Sequence, residues 1–374
     1  MSAMLRFLLV TILLCCTGRT FAAEPAELIS RITAVESRGV GNAVATAAVK
    51  ELESTAAPAD LVTILGAMNT ADPLAANWLR GAFEAAADRA TCAGMSPVAE
   101  LEAFVRNRAN TPRVRRLAYE WLLKADPEAE TRFLPTLLDD PSSEMRRDAV
   151  ARLISQAEQQ EGTAALATWK QALSGAVDKD QVKKIADALK KAGEPLDQVQ
   201  HFGLIVDWHV IGPFDNKDLK GFPVAYPPET EIKLDAEYAG QLGPVTWQQL
   251  HSDEADGAFD LAKLTEPHKG AVDYLFTEFE VAQDQPVEFR LGTANAWKLW
   301  VNGQLVFARE EYHRGMQFDQ YIVPGKLKAG TNTILLKVCQ NEQTQDWAQR
   351  WAVQFRVCDE TGKAVHSLSK SGAR

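Results

Sequence analysis

The feature that most constrains this chain is a change in hydrophobic period close to residue 200. Before that point the sequence is rich in Ala, Leu, Glu and Arg, and its apolar residues recur at helical spacing. After it, Trp, Tyr, Phe, Val and Gly dominate, six of the nine tryptophans occur, and apolar residues alternate as they do in strands. The sequence therefore predicts a multidomain protein with a helical domain followed by a β domain.

The N-terminus predicts export. Residues 1–6 carry one positive charge and no acid, residues 7–16 are apolar, and residues 20–23 offer small side chains for cleavage, which is the order of a secretory signal peptide. The apolar stretch has roughly ten residues, whereas a membrane-spanning helix needs about 20. We expect a signal peptide over residues 1–22, a periplasmic or extracellular protein, and no stable membrane insertion after cleavage. An uncleaved anchor is the alternative.

Overall charge argues against nucleic acid as a partner. The chain has 40 Lys and Arg against 50 Asp and Glu, a net charge of −10. Nucleic-acid binding requires Lys and Arg to neutralise phosphates, so an acidic chain of this kind does not fit that class.

The helical half repeats an apolar stripe four times. The first residues of the four stripes, Val44, Ala75, Val114 and Met145, are separated by 31, 39 and 31 residues. Each copy begins at a Pro or polar residue, as helices do. The pattern resembles HEAT-type repeats, most clearly over residues 133–149. That resemblance implies an α-solenoid of stacked helix pairs, and we place this domain at residues 23–198.

A run of arginines in this half has two interpretations. Arg113, Arg115 and Arg116, together with Arg106 and Arg108, could bind an anion or an acidic protein partner. Alternatively, these arginines form ion pairs with acids along the repeat stack, which favours a structural role.

The second half predicts about nine or ten short strands separated by Gly and Pro turns. Asn302-Gly303 is the best hairpin turn of the chain. Residues 289–303 and 327–338 resemble the galactose-binding-like jelly roll, including the sugar-binding-like modules of glycoside hydrolases. The resemblance implies an antiparallel β-sandwich over residues 199–362, followed by a disordered tail at 363–374. The loop that is usually acidic in such modules is Thr293-Ala294-Asn295-Ala296 here. This departure argues against a calcium or polar sugar contact on that loop.

The aromatic residues of the β half suggest one candidate sugar site. Period-2 alternation directs Trp297, Leu299 and Val301 to the core and Trp300 to the opposite face. The candidate carbohydrate-binding residues are Trp300, Lys298, Arg309, His313 and Trp347. In the alternative interpretation, Trp300 covers the second face of the sheet or packs on the helical half.

Motifs for catalysis and metal binding are missing from the sequence. The six histidines have no ligand spacing, and Cys92, Cys339 and Cys358 form no metal pattern, so we expect no metal, no cofactor and free, buried cysteines. Acids cluster at residues 253–256 and at Glu310-Glu311, and paired carboxylates could act on a glycosidic bond. We interpret them as solvated loop residues and predict no enzyme activity.

Two functions remain from the sequence. The first is an exported, non-catalytic scaffold or interaction protein that binds a protein or cell-envelope partner. The second is a carbohydrate-binding protein that uses the β-sandwich, with an accessory of a glycoside-processing enzyme as a further variant. An exposed Trp300 or Trp347 beside polar groups would favour the second function.

Overall fold

The computed structural model describes residues 23–266 and 268–368, apart from the side chain of Ser37. The predicted signal peptide and residues 369–374 lie outside this part of the chain. The described chain divides into two compact units between Glu130 and Thr131. Within the described ranges, no helix combines the length and apolar character needed to cross a membrane.

Helices occupy the first half of the described chain. They are α1 Pro25–Thr33, α2 Asn42–Thr55, α3 Leu61–Met68, α4 Pro73–Cys92, α5 Val98–Arg106, α6 Pro112–Ala125, α7 Ala129–Phe133, α8 Ser143–Glu158, α9 Gly162–Gly175, α10 Lys179–Lys191 and α11 Gln198–Phe202, with the short α12 Leu261–Leu264 inside the β half. Sequence neighbours pack as pairs, α1 on α2, α5 on α6 and α8 on α9.

Helices α4, α8, α11 and α12 begin at residues whose side chains cap free N–H groups. The Asp72 carboxylate accepts hydrogen bonds from Leu74 N and Ala75 N at 2.8 and 3.1 Å, directly before Pro73. The predicted stripes are buried except at Val44, which is exposed, and at Leu153, which is half-buried. Val44 is 56% exposed, similar to nearby Val40 at 59%. The prediction for Val44 is wrong because Ala45, one residue later, occupies the buried position of α2.

Antiparallel strands make up the second half. They are β1 Asp207–Asp215, β2 Glu237–Ala239, β3 Pro244–Thr246, β4 Gln248–His251, β5 Phe259–Asp260, β6 Ala271–Val281, β7 Gln285–Thr293, β8 Ala296–Val301, β9 Gln304–Arg309, β10 Tyr321–Leu327, β11 Gly330–Gln340 and β12 Ala352–Cys358. One sheet has the order β4-β1-β6-β11-β8-β9, a second has the order β10-β7-β12-β5, and β2 pairs with β3. The predicted order of helices followed by antiparallel sheets is confirmed.

The two larger sheets face each other across one apolar core. Side chains from β6, β8 and β11 of the six-stranded sheet and from β7 and β12 of the four-stranded sheet belong to the same buried cluster. Trp297, Leu299 and Val301 all lie in it, as the alternation along β8 predicts. Burying large apolar side chains in this way contributes about 1.5–3 kcal/mol for each residue, and it is the main reason the sheets associate.

The outer face of the six-stranded sheet carries a second apolar cluster. Residues 216–247 cover this face, and Phe222, Val245 and Trp247 from that segment pack against Tyr274 and Trp300. The apolar pattern of residues 245–250 predicts a single strand, and this prediction is wrong. The chain turns at Trp247, whose ring enters the outer cluster, so that β3 and β4 belong to different sheets.

Helices and sheets share the second unit. The rings of Phe202 in α11 and Phe318 are tilted by 58° with centroids 4.7 Å apart, and both rings lie against the Arg356 guanidinium of β12. The predicted boundary at residue 198 thus falls inside the second unit. Residues 363–368, the first half of the predicted tail, run beside the sheets, where Val365 N donates to Val357 O at 2.9 Å and Leu368 N donates to Glu280 O at 2.9 Å.

The three described cysteines are free. Cys339 and Cys358 are buried, and burial raises the pKa of their thiols to about 12 and about 11, which keeps them protonated. They end strands of different sheets rather than of adjacent strands. Cys92 is exposed, which corrects the expectation of a buried residue, because it is the last residue of α4.

A carboxylic acid lies inside the sandwich. Asp273 of β6 is fully buried, and its Oδ2 accepts a hydrogen bond from Thr265 Oγ1 at 3.1 Å. No described group hydrogen-bonds its Oδ1. Gly212 of β1 is packed so closely here that a Cβ at this position would clash with the carboxylate. Burial raises the pKa of Asp273 to about 8, so the group is mostly protonated at neutral pH.

We expect Asp273→Asn to stabilise the protein at high pH but not at low pH. Because the folded-state pKa lies above the unfolded value, the wild type loses stability as pH rises from about 4 to about 8. The gain should be about 2 kcal/mol at pH 8, after the cost of a poorly bonded amide. Urea denaturation of both proteins at pH 4 and pH 8 measures the difference. A difference that does not change with pH would contradict this assignment.

Candidate functional site

The loops at one end of the sandwich converge on a shared polar network. Strands β1, β7, β9 and β11 all end here, and β6, β8, β10 and β12 begin here, so the connecting segments become neighbours. We call this group of segments, residues 216, 266, 268–270, 294–295, 310–320 and 341–351, the loop end. Asn216 N donates to Gly270 O at 2.7 Å, and Gly270 N donates to Asn341 O at 3.0 Å.

Buried amides hold the loop end together. Asn216 Nδ2 donates to Gln340 O at 3.0 Å, and Asn295 Nδ2 donates to Gln340 Oε1 at 2.9 Å. The side chains of Asn216, Asn295 and Gln340 are almost completely buried. Buried amides with several hydrogen bonds fix loop geometry, because leaving any of them unsatisfied is costly. The loop end is thus a rigid platform.

Half-buried His313 and exposed Trp347 lie at the outer side of this platform. His313 N donates to Ala294 O at 2.6 Å, and its Nε2 lies 2.9 Å from Asn341 Oδ1. The backbone of His313 is in the left-handed region at φ 60°, where non-glycine residues are held by their surroundings. The imidazole meets the Trp347 ring edge to face at 5.0 Å between centroids. Trp347 is 63% exposed.

Trp347 differs from every other described aromatic residue. Among the Phe, Tyr and Trp residues of the described ranges it alone is exposed. Its neighbours on the same loop are polar, and Gln343 accepts a hydrogen bond from Asn341 Nδ2 at 2.9 Å. A large aromatic face open to water beside amide side chains is a surface on which a ligand can pack.

The other three predicted sugar-binding residues each contact partners of their own. Trp300 is only 7% exposed and belongs to the outer cluster, which agrees with the alternative that it covers the second face. Lys298 places its ammonium 4.7 Å from the centre of the Phe222 ring in that same cluster. Arg309 forms an ion pair with Glu311 at 2.6 Å.

Sequence reasoning missed the amides that support the platform. Asn216, Asn295, Gln340 and Asn341 carry the hydrogen bonds that fix the loops. One signal was present, because the polar run Gln340-Asn341-Glu342-Gln343 follows directly on the apolar strand β11. Such a polar run marks the point where a strand leaves the core. It does not indicate which other loops the run will contact.

The candidate arginines of the helical unit have partners. Arg115 is 1% exposed, and its Nε donates to Val105 O at 2.7 Å. Arg116 pairs with Glu120 at 2.9 Å, and Arg113 Nη2 donates to Asn77 Oδ1 at 3.3 Å. Arg115 is therefore buried and hydrogen-bonded inside the helical unit, whereas Arg113 and Arg116 contact other side chains of the same unit.

The two acidic groups lie beside opposite edges of the six-stranded sheet. Residues 253–256 follow β4 and Glu310-Glu311 follow β9, which are the two edge strands. Five strand spacings separate these edges, about 24 Å, whereas glycosidase carboxylates lie roughly 5–10 Å apart. Hydrogen bonds from Arg309 and Arg314 lower the pKa of Glu311 to about 2, so this acid stays ionised. These groups do not form the paired site considered from the sequence.

A metal site is likewise not formed by the side chains of residues 23–266 and 268–368. In these ranges no three His, Cys, Asp or Glu residues are grouped closely enough to hold an ion.

Comparison with known proteins assigns neither a family nor a function to this chain. No protein family and no curated protein matches the chain. Among solved structures, the chain is similar to the GH31 α-xylosidase from Xanthomonas citri at 14% identity and a TM-score of 0.15. That similarity covers 25% of this chain and 12% of the xylosidase. A likeness of this size carries no argument about fold or activity.

Proposed function

We propose that this chain is an exported, non-catalytic carbohydrate-binding protein. In this proposal the β half is a galactose-binding-like jelly roll that binds sugar at its loop end, and the helical half is a HEAT-like solenoid that acts as a spacer. The observation that carries the proposal is the exposed ring of Trp347, set beside His313 on a platform of buried amides.

The chemistry of this platform matches that of a sugar ring. A pyranose has a face of C–H groups, which packs on the electron-rich face of an indole, and an edge of hydroxyl groups, which need donors and acceptors. Trp347 offers the first contact, and the side chains of His313, Gln343 and Gln349 offer the second. One exposed aromatic residue is too small a surface for a stable protein interface, which buries about 1,200–2,000 Å².

We expect the purified full chain to be retarded in native gels that contain its target polysaccharide. Affinity electrophoresis against a panel of neutral and acidic cell-wall polysaccharides tests this, and Trp347→Ala should weaken the binding at least tenfold, about 1.4 kcal/mol. Leu305→Ala is the matched control, because Leu305 is 53% exposed and lies at the opposite end of β9 from the loop end. Its retardation should equal that of the wild type.

Two outcomes would contradict the proposal. One is a folded wild type that no polysaccharide retards, which would leave the scaffold function with a protein or cell-envelope partner as the better explanation. The other is equal retardation of wild type and Trp347→Ala, which would place the sugar elsewhere.

A further inference from the structure

A cavity of about 520 Å³ lies within the second unit, and neither His313 nor Trp347 lines it. Its walls come from helices α9 and α11 and from the segment that follows β12. The volume is in the range of small-molecule sites, about 300–1,000 Å³. One side of the cavity is apolar, formed by Leu173, Val177 and Leu196.

The remaining lining is unusually basic for an acidic protein. The whole chain has a net charge of −10, yet the cavity has five basic side chains and one acid. The basic residues are Lys170, His201, Arg356, Lys363 and His366, and the acid is Asp197. A concave surface lined by one sign of charge concentrates its field, because low-dielectric walls reduce screening.

Several of these charged groups already have partners. Lys170 pairs with Glu194 at 2.5 Å, and Asp197 Oδ1 accepts a hydrogen bond from Gln200 N at 2.9 Å. Arg356 donates through Nε to Asp319 at 2.8 Å and through Nη1 to Phe202 O and Gly362 O. Arg356 therefore supplies positive charge at the cavity wall, but its hydrogen bonds are largely used.

Lys363 and His366 are in a different position. Within the described ranges, neither side chain makes a hydrogen bond or ion pair, although both line the cavity. His201 faces the same space with one ring nitrogen 2.9 Å from Ala176 O. Burial lowers the pKa of His201; its hydrogen bond with Ala176 O raises that pKa, and the charges of Arg356, His366 and Lys363, which line the same cavity, lower it.

We propose that this cavity binds a small organic anion with a short apolar body. The anionic group, a carboxylate or a phosphate, contacts Lys363 and His366 beside His201, because charge-assisted hydrogen bonds are the strongest available there. The apolar body lies against Leu173, Val177 and Leu196. This site is separate from Trp347 and takes a different chemical class of ligand from the proposed sugar site.

Isothermal titration calorimetry on the full chain tests the proposal with hexanoate, hexyl phosphate and neutral hexanol. We expect saturable binding of at least one of the two anions, and the tighter one identifies the preferred anionic group. Hexanol should not saturate at the same concentrations. Lys363→Met/His366→Gln should weaken anion binding at least tenfold, whereas Lys328→Met, an exposed lysine before β11, should leave it unchanged.

A second variant and a cross-check keep the test decisive. Val177→Trp fills the apolar side and should abolish binding even if the charge variant retains some affinity. Trp347→Ala should bind the anion as the wild type does, so failure of the sugar proposal would not affect this one. No saturation by either anion, equal affinity for hexanol, or unchanged affinity in Lys363→Met/His366→Gln would overturn the proposal.

Discussion

Lys337→Met should destabilise the protein by about 3–5 kcal/mol, the range found when one partner of a buried charge pair is removed. Lys337 of β11 is 0% exposed. Its Nζ donates to Phe222 O at 3.1 Å, to Val224 O at 2.7 Å and to Glu229 Oε1 at 2.8 Å. All three acceptors belong to the segment that covers the outer face of the sheet. Methionine keeps the packing of the stem but leaves these acceptors without their donor.

The cross-strand neighbour of Lys337 provides the control. Lys298 of β8 lies directly opposite Lys337, and it contacts the Phe222 ring through a cation–π interaction. Lys298→Met should therefore cost only about 1 kcal/mol or less. Guanidinium denaturation curves of the three proteins give the comparison. Equal effects of the two substitutions would mean that Lys337 does not anchor the covering segment.

Asp319→Asn should cost a similar amount, about 3–5 kcal/mol, for a related reason. Asp319 accepts hydrogen bonds from Arg356 Nε at 2.8 Å and from Arg290 Nη1 at 2.8 Å. Arg356 is 1% exposed, so loss of the carboxylate leaves a buried cation without its counter-charge. Asparagine suits the left-handed backbone of this position, φ 52°, so the substitution removes charge without backbone strain.

The acid sensitivity of this network follows from the pKa of Asp319. Burial by itself raises that pKa, but the hydrogen bonds and charges of Arg356 and Arg290 outweigh it, so that the folded-state pKa lies below the ordinary value. The stabilisation is complete above about pH 4, the unfolded value, and is lost as pH falls through the folded-state pKa. The gap in unfolding free energy between wild type and Asp319→Asn should narrow below pH 4.

A carboxylate whose arginine partners are exposed offers a contrast for the same measurement. Glu311 also pairs with two arginines, Arg309 and Arg314, but at the surface. Exposed ion pairs contribute little because water and salt screen them. Glu311→Gln should leave the denaturation midpoint unchanged. If Asp319→Asn behaved in the same way, the Arg290–Asp319–Arg356 cluster would not stabilise the second unit.

Local patterns predicted the elements well, since they depend on neighbouring residues. The change of period near residue 200, the cap at Asp72 and the alternation along β8 each follow from a few adjacent side chains. The single strand predicted over residues 245–250 is instead divided into β3 and β4, because Trp247 packs in a cluster formed by distant residues. Periodicity carries no information about such long-range packing.

The composition of the candidate site was only partly predictable. His313 and Trp347 belong to different loops, which meet because β11 pairs with β8 and β12 pairs with β7. The sequence marked both residues as candidates but grouped them with Trp300, which the covering segment buries. Coverage by residues 216–247 could not be foreseen, because that segment has little regular structure to reveal its packing. The same coverage explains why a lysine can lie within β11.

The most direct test of the sugar-binding proposal is the indole N–H signal of Trp347 in a two-dimensional ¹H–¹⁵N spectrum. The signal is assigned by its absence from the spectrum of Trp347→Ala, and the full chain is then titrated with oligosaccharides from each polysaccharide of the panel. We predict that one oligosaccharide shifts this signal saturably, while the indole signal of buried Trp297 stays in place. A Trp347 signal that no oligosaccharide moves would contradict it.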